Sequence, residues 1–221
     1  MKTKTPKGEL TQKKLLGIAK DYFYKYGYKN TTMAKIANEA GISAGNLTYH
    51  FSSKDKLLQM IFDEYNEKIL EFVEKNILDV NDPMYLEKKY MCMGMIFNTN
   101  ILKDEKTTSF FKYVMKDHSL YDIVAKSMDP IYKEIADKYS LRMSFPLVYR
   151  YITRADQEAR KSILLTYIED RKKMPELDMS MLMMHYSMQF LGIPEINYYK
   201  MGISCYTLLL KSDFSHIKLL Q

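Results

Sequence analysis

Tryptophan is absent from the 221 residues, and cysteine occurs only twice, at Cys92 and Cys205. Two cysteines cannot build the disulfide framework that holds small secreted folds together. Both lie in apolar, helical surroundings and read as reduced core residues. No run of 18 uncharged apolar residues occurs, which excludes a membrane-spanning helix. The opening stretch, MKTKTPKGELTQKK, has no apolar segment, so no signal peptide is expected and the chain reads as cytoplasmic. Convincing alternation of polar and apolar residues is missing, and with it any sign of a sheet. Repeats, low-complexity segments and glycine-rich phosphate loops are also missing. His50, His118, His185 and His216 are scattered, and none stands at a metal-ligand spacing from Cys, Asp or Glu. No metal and no cofactor are expected.

What is present is helix. Apolar residues make up 47% of the chain, enough for a real core. Met33 to Ala40 and Ala44 to His50 read as two short helices joined by a tight turn. Ile36, Ala37 and Ala40 share one face of the first. Gly41 can adopt the left-handed conformation that stops a helix, Ile42 closes the turn, and Ser43 is a good N-cap for the second helix. Leu47 and Phe51, four apart, face inward. The small residues Ala37 and Gly41 let the two helices cross closely, as a helix-turn-helix requires.

Charge points the same way. Residues 1 to 60 hold eleven lysines against Glu9, Asp21, Glu39 and Asp55, a balance of +7 in a chain of net charge +6, which leaves −1 for the rest. A positive field gathered around a helix-turn-helix is what a phosphate-binding surface needs.

Elsewhere the spacing predicts a helix from Leu10 to Tyr26 ended by Gly27. A capping box, Ser52-Ser53-Lys54-Asp55, opens a long fourth helix to about Asn76. Further helices are expected over Met84 to Leu102, Thr107 to Lys116 and Tyr121 to Tyr139, with a loop over Ser140 to Pro146. Thr153-Arg154-Ala155-Asp156 reads as a second capping box, opening a helix to about Lys173. The last two helices are expected over Asp178 to Leu191 and Glu195 to Lys211, joined by Gly192-Ile193-Pro194. The fold class is all-α. An N-terminal three-helix domain over residues 1–55 is expected to precede a larger helical domain over 56–221.

The stretch from Leu10 to about Leu58 resembles the DNA-binding domain of the TetR family of transcriptional regulators. The resemblance rests on Gly27-Tyr28, Thr31-Thr32, Ile36-Ala37, Ala40-Gly41-Ile42-Ser43, Gly45-Asn46-Leu47, Tyr49-His50-Phe51 and Lys54-Asp55-Lys56-Leu57-Leu58, in that order. One departure is Thr48, where many relatives carry tyrosine. The resemblance implies a second helix lying in the major groove of double-stranded DNA, in a homodimer that reads a palindromic operator. It also implies release by a small effector, with repressor favoured over activator.

The residues fit that role. Ser43, Ala44, Gly45, Asn46, Thr48 and Tyr49 fall at the start and on the exposed side of the reading helix; Asn46 and Thr48 can bond base edges, and the Ala44 and Thr48 methyls can touch thymine methyls. Thr31, Thr32, Lys35 and Lys54 stand where phosphate would be met, and Tyr49 and His50 match family residues at the sugar-phosphate backbone. In the second domain, Met91, Met95, Phe110, Phe111 and Met115 are the expected wall of an apolar effector pocket, since methionine suits an irregular cavity. Leu182, Met183, Tyr186, Phe190, Tyr206 and Leu209 are the expected faces of a four-helix dimer interface.

Two other classes compete. An all-α enzyme would carry a polar catalytic cluster, and the sequence shows none. Gly41-Ile42-Ser43-Ala44-Gly45 matches G-x-S-x-G, yet that nucleophile elbow needs a preceding strand. The alternative is a helical protein-interaction module that keeps the fold without specific DNA binding. It would be expected to lose the lysines around the reading helix, and they remain.

Overall fold

A computed structural model describes residues 6–77, 79–140, 146–170, 173–190 and 198–221. Among these the chain forms eleven helices and no strand. They are α1 (Pro6–Asn30), α2 (Met33–Ala40), α3 (Ala44–His50), α4 (Lys54–Asn76), α5 (Tyr85–Leu102), α6 (Glu105–Lys116), α7 (His118–Ser127), α8 (Asp129–Lys138), α9 (Pro146–Glu169), α10 (Glu176–Phe190) and α11 (Tyr198–Leu210). The chain divides into two compact units, the first holding the residues up to Tyr65 with Ile101–Val124 and Lys218–Gln221, the second Asn66–Asn100 with Ala125–Ile217. The first unit therefore takes in more than residues 1–55.

Aromatic packing explains the addition of α6 to the first unit. Phe110 stacks on Phe23 of α1 with ring centroids 5.5 Å apart, and Phe111 lies 5.8 Å from Phe62 of α4. With Leu15, Ala19, Ile36, Leu47, Phe51, Leu57, Leu58 and Ile61, all buried, these rings form one core. Burying each such side chain is worth about 1.5–3 kcal/mol. Asp104 caps α6 by accepting from the Thr107 amide at 2.8 Å, and the Tyr24 hydroxyl donates to its other oxygen at 3.2 Å.

Gly27 behaves in part as expected. It takes a left-handed φ of 73°, but helical turns resume beyond it to Asn30. Carbonyls freed at such a break need donors. The Thr31 hydroxyl contacts two of them, at 2.8 Å from Gly27 O and 3.2 Å from Tyr22 O, and the Asn30 side chain donates to Tyr26 O.

In the second unit, α9 packs on α10, and α10 on α11. Buried charges there are paired: Lys89 with Glu134 and Glu74, Lys138 with Glu87. The single helix expected over Tyr121 to Tyr139 is two, because Pro130, in the first turn of α8, supplies no amide hydrogen to carry α7 onward. The second capping box is overturned. Thr153 lies inside α9, its hydroxyl donating back to Tyr149 O, and Asp156 is buried and pairs with Arg160. The fourth helix opens on Ser53, whose Oγ accepts from the Lys56 amide, so Lys56 stands where a capping box needs Glu or Gln. The loop over residues 141–145 and the joint Gly192-Ile193-Pro194 lie outside the described residues.

Candidate nucleic-acid interface

The geometry of α2 and α3 follows from three capping residues. Thr32 Oγ1 accepts from the Lys35 amide at 3.3 Å and starts α2. Gly41, at φ 69°, ends it, its N–H reaching Asn38 O while the Ile42 N–H reaches Ala37 O. Ser43 Oγ accepts from the Asn46 amide at 3.2 Å and starts α3. Ile36, Ala37, Leu47 and Phe51 then point into the core.

That burial fixes what α3 shows to solvent. Ala44, Gly45, Asn46, Thr48 and Tyr49 are all exposed, Tyr49 by 86%. The Thr48 hydroxyl donates to Ala44 O at 2.9 Å, which leaves its oxygen lone pairs and methyl for a partner. His50 is half-buried and meets Tyr49 edge-on, at 5.4 Å between rings. A phenol standing this far into solvent has no packing role.

The residues expected at phosphate divide. Thr32 and Lys35 are exposed at the start of α2, Lys35 Nζ donating to Asn30 O at 2.9 Å. Thr31 is not at the surface. Its side chain is 0% exposed and its hydroxyl serves the end of α1, so it is withdrawn from the contact set. Lys54 is half-buried. Its Nζ donates to Tyr28 O at 2.9 Å and Thr31 O at 3.0 Å, and sits 4.0 Å from the centre of the Tyr28 ring. Burial holds its ammonium below the usual lysine range. Lysine has three donors, so one remains, but the residue first ties the α1–α2 turn to the start of α4.

Two tyrosines missed from the sequence complete this frame. The Tyr28 hydroxyl donates to Asp55, and burial together with that carboxylate pushes the phenol well above its ordinary range. The Tyr22 hydroxyl donates to Glu39 Oε2 at 2.9 Å, joining α1 to α2. Gly27-Tyr28 was a visible signal for the first; nothing in the pattern marked the second.

Comparison with known proteins agrees with this geometry. Residues 15–61 match the family model described as bacterial regulatory proteins, tetR family. The HTH-type transcriptional regulator QacR of Staphylococcus aureus is 44% identical over 50 residues, 23% of this chain and 27% of that protein. RutR of Escherichia coli is 30% identical over 112 residues, 43% of this chain and 53% of that protein. Residues 15–61 are thus similar to the DNA-binding end of that family. The chain's matches span from about a quarter to half the length of these curated relatives. Two solved structures share the fold: RolR without ligand, at 11% identity and TM-score 0.58 over 88% of this chain and 96% of that one, and the fatty acid degradation regulator FadR of Bacillus halodurans, at 15% identity and TM-score 0.51 over 88% and 99%. RolR has also been solved with resorcinol bound. Both α2 and α3 lie within the matched residues 15–61.

The five residues expected to wall an effector pocket fall in both units. Phe110, Phe111 and Met115 belong to the first unit, where the two rings are core, while Met91 and Met95 are buried in the second. A groove of about 520 Å³ in the first unit runs between the end of α1 and α6, lined by Tyr24, Tyr28, Lys29, Lys106, Phe110 and Tyr113 among others. Of the five, only Phe110 lines it. The expected dimer residues also divide. Leu182, Tyr186 and Tyr206 are exposed and Phe190 is half-buried, but Met183 and Leu209 are buried within the chain.

Proposed function

We propose that the protein is a dimeric transcriptional repressor that places α3 of each copy in the major groove of a palindromic operator and is released by a small apolar or aromatic effector. The exposed face of α3 carries this reading: Asn46 and Thr48 offer groups for base edges, and Tyr49 projects into solvent with only the edge of the His50 ring beside it. Thr32, Lys35, His50 and the remaining donor of Lys54 serve the phosphates, which set register and affinity rather than sequence preference.

A second copy supplies what one cannot. A single helix-turn-helix reads few base pairs, and two related by a twofold axis read half-sites about 34 Å apart. Tyr199, Ile203, Tyr206 and Leu210 recur at helical spacing on α11, all exposed, and Leu182 and Tyr186 do so on α10. Apolar stripes of this kind suit an isologous four-helix interface. Residues 54–65 of α4 belong to the first unit and 66–76 to the second, so one continuous helix is the covalent lever between effector and reading head. An effector favouring the state with mismatched heads shifts the population away from DNA.

Light scattering on the purified chain, with a gel shift on the DNA upstream of its own gene, tests the reading. A dimer that shifts that DNA is expected. A folded dimer that fails to shift it at low salt favours the protein-interaction module instead.

A further inference from the structure

The groove between the end of α1 and α6 is built largely from rings and ammonium groups, all of them in the first unit. Its 520 Å³ falls within the roughly 300–1,000 Å³ of small-molecule sites. Phe23, Tyr28 and Phe110 are its buried rings. Phe110 stacks on Phe23 at 5.5 Å, and Tyr28 lies tilted 5.3 Å from the same ring. Tyr113, 40% exposed, stacks on Tyr28 at 6.3 Å and leaves part of its own ring open to a ligand.

The charges around these rings are unequal. Lys25, Lys29 and Lys106 line the groove against one carboxylate, that of Glu105. Asp21 holds Lys25 at 2.7 Å, which leaves Lys29 and Lys106 as the cations open to a ligand. Lys29 is exposed in the last turn of α1. Lys106 is exposed too, and its Nζ stands 5.0 Å from the centre of the Tyr24 ring, an aromatic face rather than an acid. Ser109 adds a hydroxyl donor from α6. The Tyr24 and Tyr28 hydroxyls are already given to Asp104 and Asp55, so those two residues offer the groove their rings.

We propose that this groove binds a small planar aromatic anion, one or two fused rings bearing a carboxylate. The ring packs against Phe110 and Tyr113, and the carboxylate faces the ammonium groups of Lys29 and Lys106. Aromatic faces and edges supply the stacking, and charge-assisted bonds supply the selection for an acid. An aromatic cation would find the same rings but meet two like charges. Lys54 stands over the Tyr28 ring, so the ligand would sit beside the frame that holds α2 and α3. The site does not rest on the DNA reading, and each can fail without the other.

The test is titration of 1-naphthoate into the full-length chain, followed by the anisotropy of the probe and by nuclear Overhauser contacts from the probe to protein rings. Saturable binding with contacts to the Tyr113 ring is expected. Lys29→Glu and Lys106→Glu change exposed side chains, and each should weaken binding by about tenfold or more, the loss of one charge-assisted contact. Neutral 1-naphthalenemethanol should bind more weakly than the naphthoate by a similar factor. No binding at millimolar probe, binding without contact to Tyr113, indifference to either charge reversal, or equal binding of the neutral analogue would overturn the proposal.

Discussion

Lys54 Nζ stands 2.9 Å from the carbonyl oxygen of Tyr28 and 4.0 Å from the centre of that residue's ring. One side chain at the head of α4 thereby grips the turn between α1 and α2, whose next element leads into the reading helix. Replacing it by methionine removes two charge-assisted bonds and a cation–π contact while keeping the stem. The expected result is a loss of about 1–3 kcal/mol in urea unfolding, with weaker DNA binding beside it. Unchanged stability would make Lys54 a phosphate contact alone.

Tyr49 is expected to behave in the opposite way. At 86% exposure it contributes little to the fold, so Tyr49→Ala should leave stability within about 0.5 kcal/mol while weakening binding to the operator. Equal losses in both measurements would contradict the separation.

Thr31 and Gly41 test the frame without touching its outer face. Thr31→Val leaves Gly27 O and Tyr22 O without that donor in a buried place, at a cost of about 1–3 kcal/mol. Gly41→Ala meets no atom within 4 Å, so its cost, about 1–2 kcal/mol, comes from the left-handed φ of 69° alone. Both are read by thermal or urea unfolding.

These residues also mark what the sequence disclosed. Gly41, Ser43 and the Leu47–Phe51 pair speak locally, through backbone conformation, capping and spacing, and the turn forms as they require. Thr31 and Lys54 speak through partners. A hydroxyl beside a helix start looks the same whether it faces phosphate or reaches back to Gly27 and Tyr22. Phe110 and Phe111 are a similar case: an aromatic on a helical stripe suits a cavity wall and a core equally; Phe111 packs on Phe62, while Phe110 both stacks on Phe23 and lines the groove beside α1. Pro130 was readable as a break between α7 and α8, but the apolar spacing runs across it.

Acid should weaken the α6 cap. Burial alone would raise the Asp104 carboxyl, but the Thr107 hydroxyl and amide and the Tyr24 hydroxyl outweigh it and hold it below the usual range. The folded state therefore binds the proton less readily than the unfolded state, whose Asp titrates near about 3.9. The stability this gives is present above that pH and is lost as pH falls through the lower folded value. Asp104→Asn should flatten that part of the stability–pH curve; an unaltered curve would place the acid sensitivity elsewhere.

The most direct measurement is fluorescence anisotropy of the operator-bearing DNA against the purified chain across a series of salt concentrations, with Tyr49→Ala alongside. Tight binding at low salt is predicted, with log K falling linearly in log salt by about 0.9 per phosphate neutralised, and an affinity reduced at every salt concentration in the variant. A folded dimer that does not bind, or whose affinity ignores both salt and Tyr49, would contradict the account.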